Sequence, residues 1–323
     1  MIKINKLDRK IIAELDMDAR MPISRLAKAV RSSREVIAYR IKALTKKGVI
    51  SGTQAFFNPY KTGHTLYRVL IRLDSSDGGV IRKFQEYFAG HNHVMWFAEL
   101  GGRWDYVIEF FAKNADEFNE ILEKAIERFK EYIKLYEIST ILEIHCYKRR
   151  YIYDNKKEIS FLVGGKVQNL RIDDIDKKII SELKSNAQLS NTQIAQKLGL
   201  ARNTIKYRIE KLAEKGIILG YKLFYRPQAL GFQSYKLFIS MKNLYSGKEK
   251  EFFAFSQNSP NITFAHKNLG KWNYELEIEV KDIAELQKII VDLRVRFKDF
   301  IIDYDMFPIL HDHKIDLFPS DIL

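Results

Sequence analysis

LDRKIIAELDMDARMPISRLAKAVRSSREVIAYRIKALTKKGVI, residues 7–50, recurs 168 positions later as IDKKIISELKSNAQLSNTQIAQKLGLARNTIKYRIEKLAEKGII, residues 175–218. The two strings align without a gap and share 17 identities in 44, against about three by chance at ordinary composition. The register persists downstream, where Gly63 falls on Gly231, Phe84 on Phe252, Trp104 on Trp272, Tyr106 on Tyr274 and Phe129 on Phe297. So long a period excludes a solenoid, whose units run to about 20–50 residues. The chain is a tandem duplication of a domain pair.

Charge separates the parts of each copy. The 323 residues carry 54 Lys and Arg against 41 Asp and Glu, a net +13. Residues 1–52 hold 13 basic and 5 acidic side chains, and residues 171–223 hold 11 and 6, which leaves 30 of each sign elsewhere. Two basic modules on a neutral scaffold are the footprint expected of a polyanion partner. Cys146 is the only cysteine, which excludes a disulfide framework and a cysteine-based zinc site. The start lacks a signal-peptide pattern, and no window approaches 18 consecutive apolar residues, so a soluble cytoplasmic protein with no membrane partner is expected.

Within the first basic module, Leu7, Ile11, Ile12 and Leu15 share a helical face, with Asp8 in the favoured first turn. Pro22 and Ser24 open a short helix, and after the break at Arg31-Ser32-Ser33 a third helix runs to Lys47, where Gly48 stops it. Its inward stripe, Ile37, Ile41 and Leu44, leaves Arg34, Glu35, Ala38, Tyr39 and Lys42 outside. The second copy buries Ile205, Ile209 and Leu212 and presents Arg202, Asn203, Lys206, Tyr207 and Lys211. This pattern describes a helix-turn-helix, followed at Val49–Phe57 and Ile217–Tyr225 by β-rich wing pieces. The second helix of such a motif enters the major groove N-terminus first, where arginine pairs with guanine and asparagine with adenine. Candidate DNA contacts are therefore Arg31, Ser32, Ser33, Arg34, Glu35, Tyr39 and Lys42, and in the second copy Arg202, Asn203, Thr204, Lys206, Tyr207 and Lys211. Taken singly, Arg and Lys on a small bundle are ordinary solvated surface. Duplication and charge partition carry the DNA reading. Arg40 and Arg208, flanked by buried neighbours, are expected to bond within their modules or grip phosphate.

The neutral parts read as βαββαβ. Tyr67, Val69, Ile71 and Leu73 share one strand face, with Arg68 and Arg72 on the other; Tyr235, Leu237, Ile239 and Met241 repeat this against Lys236 and Ser240. Helices near 78–89 and 115–131 flank strands near 93–100 and 104–112, and a last strand covers about 133–147. That order is the ferredoxin-like split unit. The opposite sheet face exposes Leu66, Leu70, Val107, Phe111 and, in the copy, Phe238. Packing the two sheets on one another would cover it, which makes the chain an intramolecular pseudo-dimer and leaves a further homodimer open. The fold class is α+β: helix-turn-helix at 1–52 and 171–223, ferredoxin-like domains at 57–150 and 224–323, and a linker at 151–170. Gly164-Gly165 and its charges give the linker a flexible reading, with FLV as a short strand. Lys148-Arg149-Arg150 reads as a solvated strand end that could touch phosphate.

Leu7, Asp8, Ile11, Ile12 and Leu15; Arg40, Ile41, Leu44, Gly48 and Ile50; and Gly102, Trp104, Asp105 and Tyr106 together resemble the leucine-responsive (Lrp/AsnC) family of prokaryotic regulators. The resemblance covers nearly the whole chain twice. It implies a transcriptional regulator that binds double-stranded DNA as a dimer or higher even assembly. It also implies that an amino acid or other small effector is sensed between regulatory domains, which points to Gly102, Asp105, Gly270 and Asn273. Departures are local: Arg31 stands where copy 2 keeps the turn glycine Gly199, and Asn273 replaces the aspartate that Asp105 retains. The outward first turns differ, Arg34-Glu35-Val36 against Arg202-Asn203-Thr204, so two unlike half-sites are expected.

Two other functions fit parts of the pattern. Siroheme decarboxylases resemble this architecture and occur as fused pairs, and the chain has histidines at 64, 91, 93, 145, 266, 311 and 313. His91/His93 and His311/His313 are spaced to share strand faces but lack an obvious third ligand, so no metal or cofactor is expected. An enzyme has no need of basic recognition helices, and the expectation is therefore no catalysis. The other alternative, an architectural DNA-bridging protein, needs only phosphate contacts.

Overall fold

The computed structural model describes residues 4–74, 77–154, 159–242, 245–320 and 322–323. Each copy opens with three helices: α1 (Lys6–Leu15), α2 (Ile23–Val30) and α3 (Arg34–Lys46), and later α6 (Asp174–Ser185), α7 (Asn191–Leu198) and α8 (Arg202–Glu214). Local chemistry fixes their starts. Asn5 accepts from the Asp8 N–H while Asp8 accepts from the Asn5 N–H, and Asp173 with Asp176 repeats this box on α6. Gly199 ends α7 with φ +66°; Arg31 ends α2 at φ +57°, a conformation an L-residue adopts at a cost.

After α3 and α8 come strands β1 (Ile50–Phe57) and β7 (Ile218–Tyr225). Each pairs antiparallel with its counterpart in the other copy, from Ile50 opposite Tyr225 to Phe57 opposite Ile218. The pairing exchanges core residues. Leu223 and Tyr225 complete the core around Ile11, Ile12 and Ile37, and Ala55 and Phe57 complete the one around Ile179, Ile180 and Ile205. Neither three-helix module has a finished core without the other copy's strand.

The βαββαβ units are β2 (Thr65–Leu73), α4 (Gly78–Gly90), β3 (Val94–Leu100), β4 (Tyr106–Ala112), α5 (Ala115–Phe129) and β5 (Ile133–Tyr147), matching the sequence reading element by element. The second is β8 (Gln233–Met241), α9 (Ser246–Asn258), β9 (Ile262–Leu269), β10 (Tyr274–Val280), α10 (Ile283–Arg296) and β11 (Ile301–Ile315). The last strand of each unit is 15 residues long and changes partners half-way. The first part of β5 pairs with β2 and its end with β9; β11 does the same with β8 and β3. The strands therefore run β2-β4-β3-β11-β8-β10-β9-β5 and return to β2, an eight-stranded closed barrel. The helices pack outside it, on Phe84, Phe88 and Phe110 in one half and on Phe252, Leu276 and Phe297 in the other. Leu66, Leu70, Val107, Phe111 and Phe238 are all buried inside. The expected cover for the sheet faces is thus realised by edge-to-edge closure rather than by two separate sheets meeting face to face.

The linker is a docked segment instead of a free tether. A further strand, β6 (Ser160–Gly164), adds to the end of β5, and Gln168 and Leu170 donate to the Tyr60 and Lys61 carbonyls. Gly164 sits at φ +124° with room for no Cβ, which would lie 2.2 Å from the Leu142 carbonyl oxygen. Residues 155–158 of the linker lie outside the described residues. Lys148-Arg149-Arg150 is also not a solvated strand end: Lys148 is buried and the Arg149 side chain is only 11% exposed, because the long β5 carries them under β7 and α1.

Candidate functional site

The recognition helices α3 and α8 present the expected residues. Arg34, Glu35, Tyr39 and Lys42 are exposed, as are Arg202, Asn203, Lys206, Tyr207 and Lys211, while Thr204 is half-buried. Both tyrosine rings stand out into solvent, with Tyr39 69% and Tyr207 60% exposed. Ser33 caps α3 by accepting from the Val36 N–H, and Arg31, Ser32 and Ser33 form the turn before it. Ala201 gives α8 no such cap, so its first-turn N–H groups remain free for a phosphate. The Glu35 carboxyl is held below its ordinary range by its own backbone N–H and the Ser33 hydroxyl. Arg208 bonds Asp173 and Asp176 at 2.7–2.9 Å and Arg40 lies 3.7 Å from Asp8, so both brace their modules.

The glycine turns lie between the copies. Gly101 donates to the Pro308 carbonyl, and a Cβ on it would meet the Pro308 ring at 2.8 Å; a Cβ on Gly270 would meet Ser139 at 2.9 Å. Gly102 adopts φ +108° beside Phe307. The Asp105 carboxylate accepts from the Leu73 N–H at 2.7 Å. Asn273 goes further, accepting from the Met241 N–H and donating to the Met241 carbonyl, both at 2.8 Å. Gly101, Gly102 and Gly270 thus turn against the other half, while Asp105 and Asn273 hold strand ends within their own.

The barrel interior holds residues that the strand pattern assigned to an outer face. Arg68 bonds Glu109, its cross-strand partner, and Lys236 bonds Glu277 at 2.7 Å, the same pair one repeat later. Copy 2 adds Glu275 and His266, where copy 1 has Val107 and Ala98. Arg68 donates to Glu275 and to His266 Nδ1 (2.9 Å), and Lys236 lies 3.4 Å from Glu275, so one network joins both halves. Burial, then Lys236 and Arg68, pushes the His266 imidazole well below its ordinary pKa, which keeps it neutral. Nearer the ribbon, Arg149 bonds Asp16 and Glu279, and Lys222 reaches Asp16 at 3.7 Å.

The histidine pairs diverge from the sequence reading. His91 caps α4 and His93 lies in the following turn, not on a strand; His311 and His313 do share β11, with ring centroids 4.7 Å apart. Among the described residues no three His, Cys, Asp or Glu are grouped to hold a metal, and no helix is long and apolar enough to cross a membrane.

Models of known families match in the same order as the fold. Residues 4–45 match the AsnC-type helix-turn-helix domain and residues 68–150 the Lrp/AsnC ligand binding domain. The leucine-responsive regulatory protein of Haemophilus influenzae is 33% identical over 128 residues, 39% of this chain and 76% of that protein. The chain belongs to the Lrp/AsnC family. Residues 172–218 match a further model, winged helix-turn-helix DNA-binding. A second relative, the proline dehydrogenase transcriptional activator of Rhodobacter capsulatus, is 30% identical over 37% of this chain and 78% of its own. Each relative corresponds to about one copy of the duplicated chain. The fold of the whole is shared with the crystal structure of the siroheme decarboxylase NirDL, at a TM-score of 0.63 and 12% identity over 97% of this chain and 94% of that one.

Within this Lrp/AsnC chain, the sequence reading missed the interior network. A signal existed: Arg68–Glu109 and Lys236–Glu277 are opposite charges 41 residues apart in both copies. Two such pairs on adjacent strands mark a shared environment, but alternation alone cannot say whether that environment is water or a barrel.

Proposed function

We propose that the chain is a sequence-specific DNA-binding transcriptional regulator that acts as its own dimer, reads two unlike half-sites and responds to a small-molecule effector. The observation that carries this is the β1–β7 ribbon, which ties two basic modules about an internal pseudo-dyad while their exposed first turns differ. Family membership supports a transcriptional role, and the exposed Arg, Asn, Lys and Tyr side chains of α3 and α8 suit phosphate and base contact. The test is selection of bound fragments from random DNA, followed by footprinting. A discrete, salt-sensitive footprint is expected, with affinity falling about 10³–10⁵-fold between 50 and 200 mM salt if six to ten phosphates are engaged. Binding indifferent to salt, or coverage with no preferred site, refutes this reading; the latter favours an architectural role.

A second reading rests on the full-length likeness to a siroheme decarboxylase. Against it, the partly open cavity below the ribbon is only about 140 Å³, smaller than the roughly 300–1,000 Å³ of drug-sized sites, and a tetrapyrrole exceeds drug size. A coloured complex with a haem-type tetrapyrrole, and loss of carbon dioxide from it, would establish the enzyme instead.

A further inference from the structure

The loop between α1 and α2 carries an arginine that reaches out of its own module. Arg20, half-buried, donates through Nη2 to the Leu189 carbonyl and to Asn191 Oδ1, both at 2.9 Å, and through Nη1 to the Tyr221 hydroxyl at 3.2 Å. Its guanidinium also lies 4.9 Å from the centre of the Tyr221 ring. Leu189 and Asn191 form the turn into α7 of the other module, and Tyr221 belongs to the other copy's ribbon strand. The backbone around this contact is duplicated: Ala19 donates to the Tyr221 carbonyl at 2.9 Å, and its counterpart Ala187 to the Thr53 carbonyl at 3.1 Å. The side chains are not duplicated. The equivalent positions hold Gln188 for Arg20, Thr53 for Tyr221 and Ile23 for Asn191, so guanidinium, ring and amide all lack a counterpart. Gln188 and Ile23 are exposed.

The β1–β7 ribbon that ties the modules together has two strands, and with no third strand to hold it such a ribbon is weakly determined in twist. A planar guanidinium with several donors holds direction as well as distance. We propose that Arg20 is a one-sided clasp, a positioning residue that fixes the angle between the two helix-turn-helix modules and so the half-site spacing the chain accepts. It stands beside the recognition face: the groove next to it runs from Ala38 and Lys42 of α3 to residues 188–190. One base pair more or less turns a half-site by about 35° and moves it by about 3.4 Å. Clasped modules can follow that change only by breaking the Arg20 bonds. The spacing consequence rests on the DNA-binding reading above; the clasp itself does not.

Two measurements on the full chain test this. Spin labels at Tyr39→Cys and Tyr207→Cys, with the buried Cys146 as the only native thiol, report the distance between α3 and α8 without DNA. A single narrow distribution is expected, broadened by Arg20→Gln, which gives copy 1 the residue of copy 2. Asn191→Ile removes one partner and leaves the arginine in place; it should broaden the distribution too, and it stands in if Arg20→Gln does not fold. The second measurement is affinity for the preferred DNA site and for sites with one base pair more or less between the half-sites. That change should weaken binding by the unsubstituted chain about tenfold more than binding by Arg20→Gln, the strength of a charge-assisted hydrogen bond. The ratio is taken within each protein, so a lost phosphate contact cancels. A distribution unchanged in the folded variants overturns the clasp, and an unchanged spacing penalty overturns its role in spacing. Equal weakening at every spacing, with a salt slope lowered by about one, would make Arg20 a phosphate contact instead. A broadened distribution in a chain that binds no DNA sinks the regulator reading and leaves the clasp standing.

Discussion

Gln54 and Lys222 face each other across the centre of the β1–β7 ribbon, and each is the other's counterpart in the repeat. The pseudo-dyad of the chain passes between them. The backbone there is symmetric while the side chains are not: Lys222 is 1% exposed and runs down to Asp16, whereas the Gln54 Oε1 is buried without a hydrogen-bond partner. A symmetric frame carrying unlike residues at its axis and at both recognition helices is the pattern from which the expected outcomes below follow.

The two recognition helices should be separable by mutation. Arg34→Ala is expected to relax preference in one half-site and Asn203→Ala in the other, each by about 1–3 kcal/mol for a bidentate base contact. Binding to libraries randomised in one half-site at a time reads this out. Perfect palindromes from selection, with both substitutions weakening both halves equally, would mean that modules pair between chains.

Arg31 combines a backbone cost with a charge facing the proposed DNA. At φ +57° it occupies the conformation that Gly199 holds at φ +66° in copy 2. Arg31→Gly should therefore raise stability by about 0.5–1 kcal/mol, the left-handed penalty less the entropy that glycine adds to the unfolded chain. DNA affinity should fall at the same time through loss of a basic side chain. Thermal melts and binding assays on one preparation test both, and stability that drops would refute the strain argument.

Asn273 and Asp105 hold equivalent strand ends by different chemistry. Asn273→Asp would set a carboxylate oxygen 2.8 Å from the Met241 carbonyl that the amide now donates to. A loss of about 1–3 kcal/mol is expected. Asp105→Asn keeps an acceptor for the Leu73 N–H and should cost far less. Equal effects of the two changes in urea unfolding would contradict this account.

Asp16 links pH to folding. Burial opposes its ionisation, but Lys222 and Arg149 outweigh it, and the carboxyl is held below its ordinary range. With the folded value below the unfolded one, near 3.9, its contribution is complete above about pH 5 and is lost as pH falls through the unfolded value toward the folded one. Asp16→Asn should cost about 3 kcal/mol at neutral pH, the low end for breaking a buried ion pair because Glu279 still holds Arg149. The variant should also lose part of the acid limb. Urea midpoints from pH 7 to 3 measure both effects.

Much of this was legible in the residues. Periodicity placed α5 and its buried Phe118, Ile121, Leu122 and Phe129 because that helix faces a single core. The duplication supplied the two modules, and Ile37 and Leu44 fixed which side of α3 turns outward. What escaped were consequences of long-range pairing. Alternation puts Arg68 opposite Val69 but is silent on whether its face sees solvent, and only barrel closure buries it. Arg149 read as a strand end because nothing local shows that β5 outruns its own sheet. Arg20 likewise sits in an ordinary turn between α1 and α2, and its bonds to the other module depend on segments from both copies.

Closure of the barrel also has a bearing on how many chains assemble. Hydrogen-bonding edges are what separate β-subunits commonly use to recognise one another, and here the eight barrel strands spend theirs on the ring. Two chains meeting in solution would find outer helices such as α10, with Val291 and Val295 exposed, rather than barrel strands to extend. The duplication thus fixes subunit stoichiometry at translation: unlike partners arrive in a one-to-one ratio, already matched, and a change in either copy is always tested against the same companion.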